Sequence, residues 1–300
     1  MFSSNPGLIE EAFSAWKRHA ALRTTRRGLM RHTYGDQWSD LTQTSSGQTV
    51  SEYEKARMAG MRPLTNNLLR ALVKSVVGRF RYNISQSGEP PSAQLLDVYR
   101  SNLLDELDSR ALEEFLISGT AIQRVVYENR PPDGAGVWID NVNPEHFFCT
   151  PFRDPRGSDI RLIGMLHDMT LDELRLRFGH NSRRRHRYLE KVYRHVSADG
   201  PYLSSVAWGG HDSADTKFYS SSSPGFCRVI EVWTYDIDPH HPVEDPHWHC
   251  RFLTPDGSVI DHSRSPLKSG AHPFALKFYP LTDGAVHPFI EDLVGQQKHI

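Results

Sequence analysis

The sequence is poor in cysteine. Its three, Cys149, Cys227 and Cys250, are an odd number without CxxC spacing. That argues against a disulfide framework and for synthesis in a reducing cytosol. No apolar run approaches the ~18 residues of a membrane span. The opening stretch, MFSSNPGLIEEAF, puts no basic residues ahead of an apolar core, so a secretory leader is not expected. Neither sign of charge prevails: 35 basic residues stand against 36 acidic ones, a formal net charge of −1. A strong global field for nucleic acid or anionic membrane is thereby excluded, whereas a local patch is not. The phosphate loop GxxxxGK[ST], the nucleophile elbow GxSxG, the zinc helix HExxH and the dinucleotide loop GxGxxG are all missing. Apolar content is also modest. At 38% hydrophobic residues and a mean hydropathy of −0.53, 300 residues are lean for a monomer. Surface buried between subunits would fit, as would long solvated loops.

What is present reads as helices first and strands later, an α+β chain with an antiparallel β-rich second part. Ile9, Phe13, Trp16 and Ala20 predict one amphipathic helix over residues 7–32. Its basic end, Arg23, Arg26, Arg27 and Arg31, reads as a solvated helix end. Ser51 with Glu54 is a capping box. Asn67–Arg79 follows, with Leu64, Leu68, Leu69, Leu72, Val73, Val76 and Val77 in an arc wide enough for a helix buried on most sides. Gly78 is expected to end it, and Phe80–Ile84 alternates as a strand would. Residues 92–118 read as a further helix. Ala121–Tyr127 and Val137–Val142 form a hairpin around a Pro/Gly-rich loop. Ile160–Asp168 and Phe226–Tyr235 read as strands. Thr170 and Glu173 make a second capping box. His247–Leu253 and Ser258–His262 flank a Thr-Pro-Asp-Gly turn. The Ser/Gly-rich residues 197–225 read as a mobile loop.

Two clusters could carry chemistry. His240, His241, His247, His249 and Cys250 are the densest set of metal-ligand types. On a strand, however, His247 and His249 share one face while Cys250 takes the other, and the spacing matches no zinc template. No metal and no cofactor is therefore expected. Arg183, Arg184, Arg185 and Arg187, with His186 among them, are the most basic run. They could meet phosphates or an acidic partner, or be a solvated helix start, and they cannot all share one helical face.

The C-terminal stretch, HPFALKFYPLTDGAVHPFIEDLVGQQKHI (residues 272–300), combines a short strand, a turn at Asp283-Gly284 and a helix opened by Pro288. Ile290, Leu293, Val294, Gln297 and Ile300 fall on one face of that helix. The stripe is still running at Ile300. The helix should therefore either dock on something or continue in a longer polypeptide, and the second is the expectation.

Five segments occur in order: HTYGDQW (32–38), RPLTNNLLRALVKSVVG (62–78), SGTAIQRVVYE (118–128), VNPEHFFCTPFRDP (142–155) and the C-terminal stretch. Together they resemble the portal protein of tailed bacteriophages, from about Tyr34 to Ile300. The resemblance implies a wing-like α+β domain over 1–287, helical to about residue 120 and β-rich after it, with 197–225 as an insertion. It implies that 288–300 is the start of a truncated first stem helix whose face at Ile290, Leu293, Val294, Gln297 and Ile300 meets a neighbouring subunit. It implies no enzyme, but a structural subunit of a homo-oligomeric ring, usually a dodecamer, at one capsid vertex of the virion. Such a ring is made in the host cytoplasm and conducts double-stranded DNA during packaging and ejection. Its partners would be the major capsid protein, the terminase large subunit and a tail adaptor protein, with no membrane. Two other classes stay open: another head-completion or adaptor protein, and a metal-dependent nuclease using residues 240–250.

Overall fold

The structure, a computed structural model, describes residues 5–86, 92–130, 134–194, 216–221, 223–236, 247–267, 271–279, 281–282 and 285–299. It is α+β, with helices dominating the first part and antiparallel sheets the second. The chain forms two compact units, and each is interrupted in sequence. Met1–Ala20 joins Val142–Pro273 in unit 1, and Ala21–Asn141 joins Phe274–Ile300 in unit 2. This division differs from the expected boundary at residue 287, because the C-terminal segment belongs to unit 2.

Unit 1 opens with α1 (Pro6–Arg18). Asn5 caps it by accepting from the Leu8 amide, and Pro6 supplies a first helical residue that needs no donor. His19 separates α1 from α2 (Ala20–Thr33), so the single helix expected over 7–32 is two. The break is held where His19 Nε2 lies 3.2 Å from the Cys149 carbonyl. The sheet of unit 1 is antiparallel throughout, in the order β5 (Phe147–Cys149), β6 (Leu162–Met169), β7 (Cys227–Asp236), β8 (His247–Leu253) and β9 (Val259–Arg264). Thr254–Gly257 is the turn between β8 and β9, as its composition required. Side chains alternate along these strands. Leu162, Leu166, Ile230, Val232 and Leu253 share one face, against Leu8, Ile9, Ala12, Ala15 and Trp16 of α1.

Phe218 completes that core from a short helix, α9 (Thr216–Tyr219), and is fully buried. The expected mobile loop is thus corrected at 216–219, where an aromatic side chain leaves water. Residues 197–215 lie outside the described residues. Two more helices, α7 (Leu171–Phe178) and α8 (Arg183–Val192), belong to this unit, and the Thr170–Glu173 capping box of α7 is formed.

Unit 2 holds α2, the hairpin β1 (Leu41–Gln43) with β2 (Thr49–Ser51), and α3 (Glu52–Met58) behind its Ser51–Glu54 capping box. It continues with α4 (Leu68–Gln86), α5 (Ala93–Ser101) and α6 (Leu104–Ser118). Its sheet is ordered β10 (Phe274–Phe278), β3 (Thr120–Arg130), β4 (Gly134–Asn141), and β3 and β4 are the expected hairpin. A two-residue pair, β11 (Leu281–Thr282) with β12 (Ala285–Val286), precedes α10 (Glu291–His299).

Three expectations fail here. Gly78 does not stop α4, which runs on to Gln86 through the segment read as a strand. A helical glycine costs only ~1 kcal/mol against alanine, which burial of Val73 and Val77 and the Arg81–Glu106 ion pair can outweigh. Residues 92–118 are two helices, broken at Asn102 and a left-handed Leu103. The basic end of α2 is not simply solvated. Arg23 is buried, Arg26 makes a two-point contact with Glu114, and Arg31 pairs with Asp40. Gly119 ends α6 at φ +72°, where an added Cβ would lie 2.5 Å from Val286 and 2.8 Å from the Tyr279 carbonyl.

Candidate functional site

The face of α10 expected to await a neighbour is covered within unit 2. Ile290 is fully buried beside Leu29 of α2, Leu69, Val73 and Val77 of α4, and Leu116 and Ile117 of α6, while Leu293 and Val294 pack against the same core. Gln297 is buried too, and bridges two helix ends. Its Oε1 accepts from the Leu69 amide in the first turn of α4 at 2.9 Å. Its Nε2 donates to the His32 carbonyl near the end of α2 and to Gln37 Oε1. One amide thus satisfies an orphan donor and an orphan acceptor that helix termini leave open. Sequence projection found this face but gave it the wrong partner: the complementary leucines and valines lie more than 170 positions away. Ile300 lies outside the described residues.

The apolar surface that stays exposed in unit 2 lies elsewhere. Leu69, Val73 and Val77 form the buried stripe of α4, but Leu64, Leu68 and Leu72 are 76%, 44% and 37% exposed. The wide apolar arc is therefore covered along one stripe only. Nearby in sequence, α5 buries none of its residues, and Leu95, Tyr99 and Leu103 are exposed.

The basic run begins α8. Arg185 turns away from the others and donates to the Phe178 carbonyl at the end of α7, at 3.4 Å. A cation there suits the negative end of the dipole. Arg183, Arg184 and Arg187 are exposed, as is Lys191 one turn further on. The opposite side of α8 is anchored by buried Leu189, and just past the helix Tyr193 donates to the Arg228 carbonyl at 2.6 Å. Arginines at the start of a helix oppose its dipole, and like charges three or four residues apart cost about 0.2–0.5 kcal/mol per pair. The arrangement therefore carries a local cost, met by burial of the other face.

Of the histidine cluster, His240 and His241 lie outside the described residues. His247 and His249 do share a face of β8. His247 contacts Arg264, and His249 Nδ1 lies 3.3 Å from His262 Nε2, while Cys250 is buried on the opposite face. Among the described residues no three metal-ligating side chains converge.

Sequence reading missed a buried polar group in unit 1. Glu231, on β7, is wholly buried; His167 Nε2 lies 2.6 Å from its Oε2, and Trp233 Nε1 donates to its Oε1 at 2.7 Å. The signal was available, since Glu231 falls between Val229 and Trp233 on an otherwise apolar strand face. On the other face of β7, Arg228 lies 3.3 Å from Asp168, its register partner on β6. Burial pulls the Arg228 guanidinium below its ordinary range, with the Asp168 charge opposing. Cys149 Sγ lies 3.5 Å from His19 Nε2, the partners of a thiol nucleophile. Burial, however, pushes that thiol up to about 12, the opposite of the depression a thiolate nucleophile needs.

No protein-family model matches the chain, and neither does any curated protein. No helix among the described residues is long and apolar enough to cross a membrane.

Proposed function

We propose that the chain is a subunit of a ring-shaped head-to-tail connector, the portal at one capsid vertex of a tailed bacteriophage. The ring would conduct double-stranded DNA during packaging and ejection, and would dock the terminase, the tail adaptor and the major capsid protein. The observation that carries this reading is the exposed row Leu64, Leu68 and Leu72. These residues belong to RPLTNNLLRALVKSVVG, one of the five segments on which the resemblance rests. Large aliphatic side chains left in water, Leu68 and Leu72 at consecutive turns of α4 and Leu64 in the segment before it, mark a surface that another molecule covers. Fully burying one such side chain is worth ~1.5–3 kcal/mol, and in a ring the same contact repeats until it closes. Because the apolar face of α10 is used inside unit 2, this row, rather than α10, is the intersubunit surface of the proposal.

The buried His167–Glu231 pair has its hydrogen bonds inside the sheet, and nothing in its geometry favours a hydrolase. The test is negative-stain imaging of the complete product of the reading frame that encodes the chain. Closed rings with a central pore are expected. A uniform monomer at all concentrations, with no pore in any assembled particle, would contradict the reading.

A further inference from the structure

The chain as a whole is nearly neutral, yet one surface is not. At 100° per residue, Arg183, Arg184, Arg187 and Lys191 of α8 fall within an arc of ~100°. All four are exposed, and Arg194, just beyond the helix, is exposed as well. None of the five pairs with an acidic residue among the described residues. Glu190, the one acidic residue of α8, pairs with Arg175, which also holds Asp172. Arg185 lies off the stripe at the end of α7. Five cations thus line one side of an element whose other side is fixed by Leu189 and Tyr193.

From this geometry we infer that α8 is a sequence-independent contact for the phosphate backbone of double-stranded DNA. Four features select this occupant. The stripe contains no apolar residue, so it lacks the buried anchor on which a protein–protein interface depends. A membrane-surface helix needs an exposed apolar face, and that of α8 is buried in unit 1. The cations recur every ~4.5–6 Å along the helix axis, dense enough to face a duplex that carries one charge per ~1.7 Å. Arginine outnumbers lysine, and its planar fork suits phosphate oxygens. Contacts to phosphates alone carry no sequence information.

The inference rests on charge geometry and not on the connector reading, so DNA binding and ring formation can fail separately. The test is fluorescence anisotropy of the whole chain with labelled duplexes of about two helical turns and unrelated sequences. Four phosphate contacts predict affinity falling on the order of 100-fold between 50 and 200 mM salt, equally for every sequence. Replacing Arg183, Arg184, Arg187 and Lys191 by Ala should abolish most of the binding and flatten the salt dependence. The matching Arg→Lys variant should keep both within several-fold. The thermal midpoint of the Ala variant should change little, since Arg183 and Arg184 oppose the helix dipole at its start while Lys191 in the last turn favours it. Should it unfold instead, the same four positions changed to Gln decide by the same readings. The inference is overturned by no duplex binding at 50 mM salt, or by binding that survives high salt. It is equally overturned by Ala-variant affinity equal to wild type, or by tighter binding to polyglutamate or anionic vesicles than to DNA.

Discussion

Unit 1 and unit 2 are each built on an antiparallel sheet, and they differ in where their ion pairs and exposed leucines fall. Unit 1 places ionisable groups inside: Glu231 with His167, and Arg228 with Asp168. Its sheet core is covered, Phe218 included, although Leu176 of α7 stays exposed. Unit 2 keeps its main ion pairs nearer the surface, such as Lys74 with Glu113 and Arg81 with Glu106, and leaves leucines in water on α4. The exposed leucines of unit 2 are the ones on which the proposed assembly rests. Loss of a buried partner should therefore be felt most in unit 1, and loss of an exposed leucine only in assembly.

The largest effect should come from Glu231→Ala. It strips His167 and Trp233 Nε1 of a buried acceptor, and each buried polar group left unpaired costs about 1–3 kcal/mol. Urea unfolding followed by tryptophan fluorescence should show this loss in the transition that reports unit 1. A change below 1 kcal/mol would mean that the pair does not hold the sheet.

Next is Gln297→Ala in unit 2. It leaves the Leu69 amide and the His32 carbonyl without their buried partner, a cost of about 1–3 kcal/mol. Hydrogen exchange should speed at the start of α4. Unchanged exchange there would return α10 to the role of a loosely attached helix.

A smaller effect is pH-dependent. Burial pushes the Glu113 carboxyl up, but hydrogen bonds from Lys74 and Tyr34 outweigh it and leave the carboxyl below its ordinary range. A carboxylate depressed in the folded state contributes stability that is present above its unfolded value and lost as pH falls through the folded one. Glu113→Gln should therefore lower stability at neutral pH, and the difference from wild type should shrink on acidification. A difference that grows toward low pH would reverse the sign. At Tyr34, burial and the Glu113 carboxylate raise the phenol to about 12, so it should stay un-ionised when titrated to pH 10.

The smallest folding effect is expected at the exposed row. Leu68→Lys with Leu72→Lys should change stability by no more than about 0.5 kcal/mol per site.

The sequence showed much of the local structure, because local structure has local causes. The capping boxes at Ser51 and Thr170, the β3–β4 hairpin and the Thr254–Gly257 turn were all legible. Long-range facts were not. Whether Leu68 or Leu69 is buried depends on where α6 and α10 lie, and both are apolar members of the same arc. The role of α10 was misread for the same reason, and so was Gly78, whose propensity packing overrode. In the basic run, four neighbouring arginines drew attention to a stretch of sequence. The surface they form instead excludes Arg185 and takes in Lys191 and Arg194.

The central claim, that unit 2 carries an uncovered assembly face, is tested most directly by sedimentation velocity on the complete gene product. Wild type should be compared with Leu68→Lys/Leu72→Lys at matched concentration. The account predicts a large, discrete assembly for wild type and a folded monomer with an unchanged unfolding curve for the variant. A variant that assembles as well as wild type, or a wild type that never leaves the monomer peak, would contradict it.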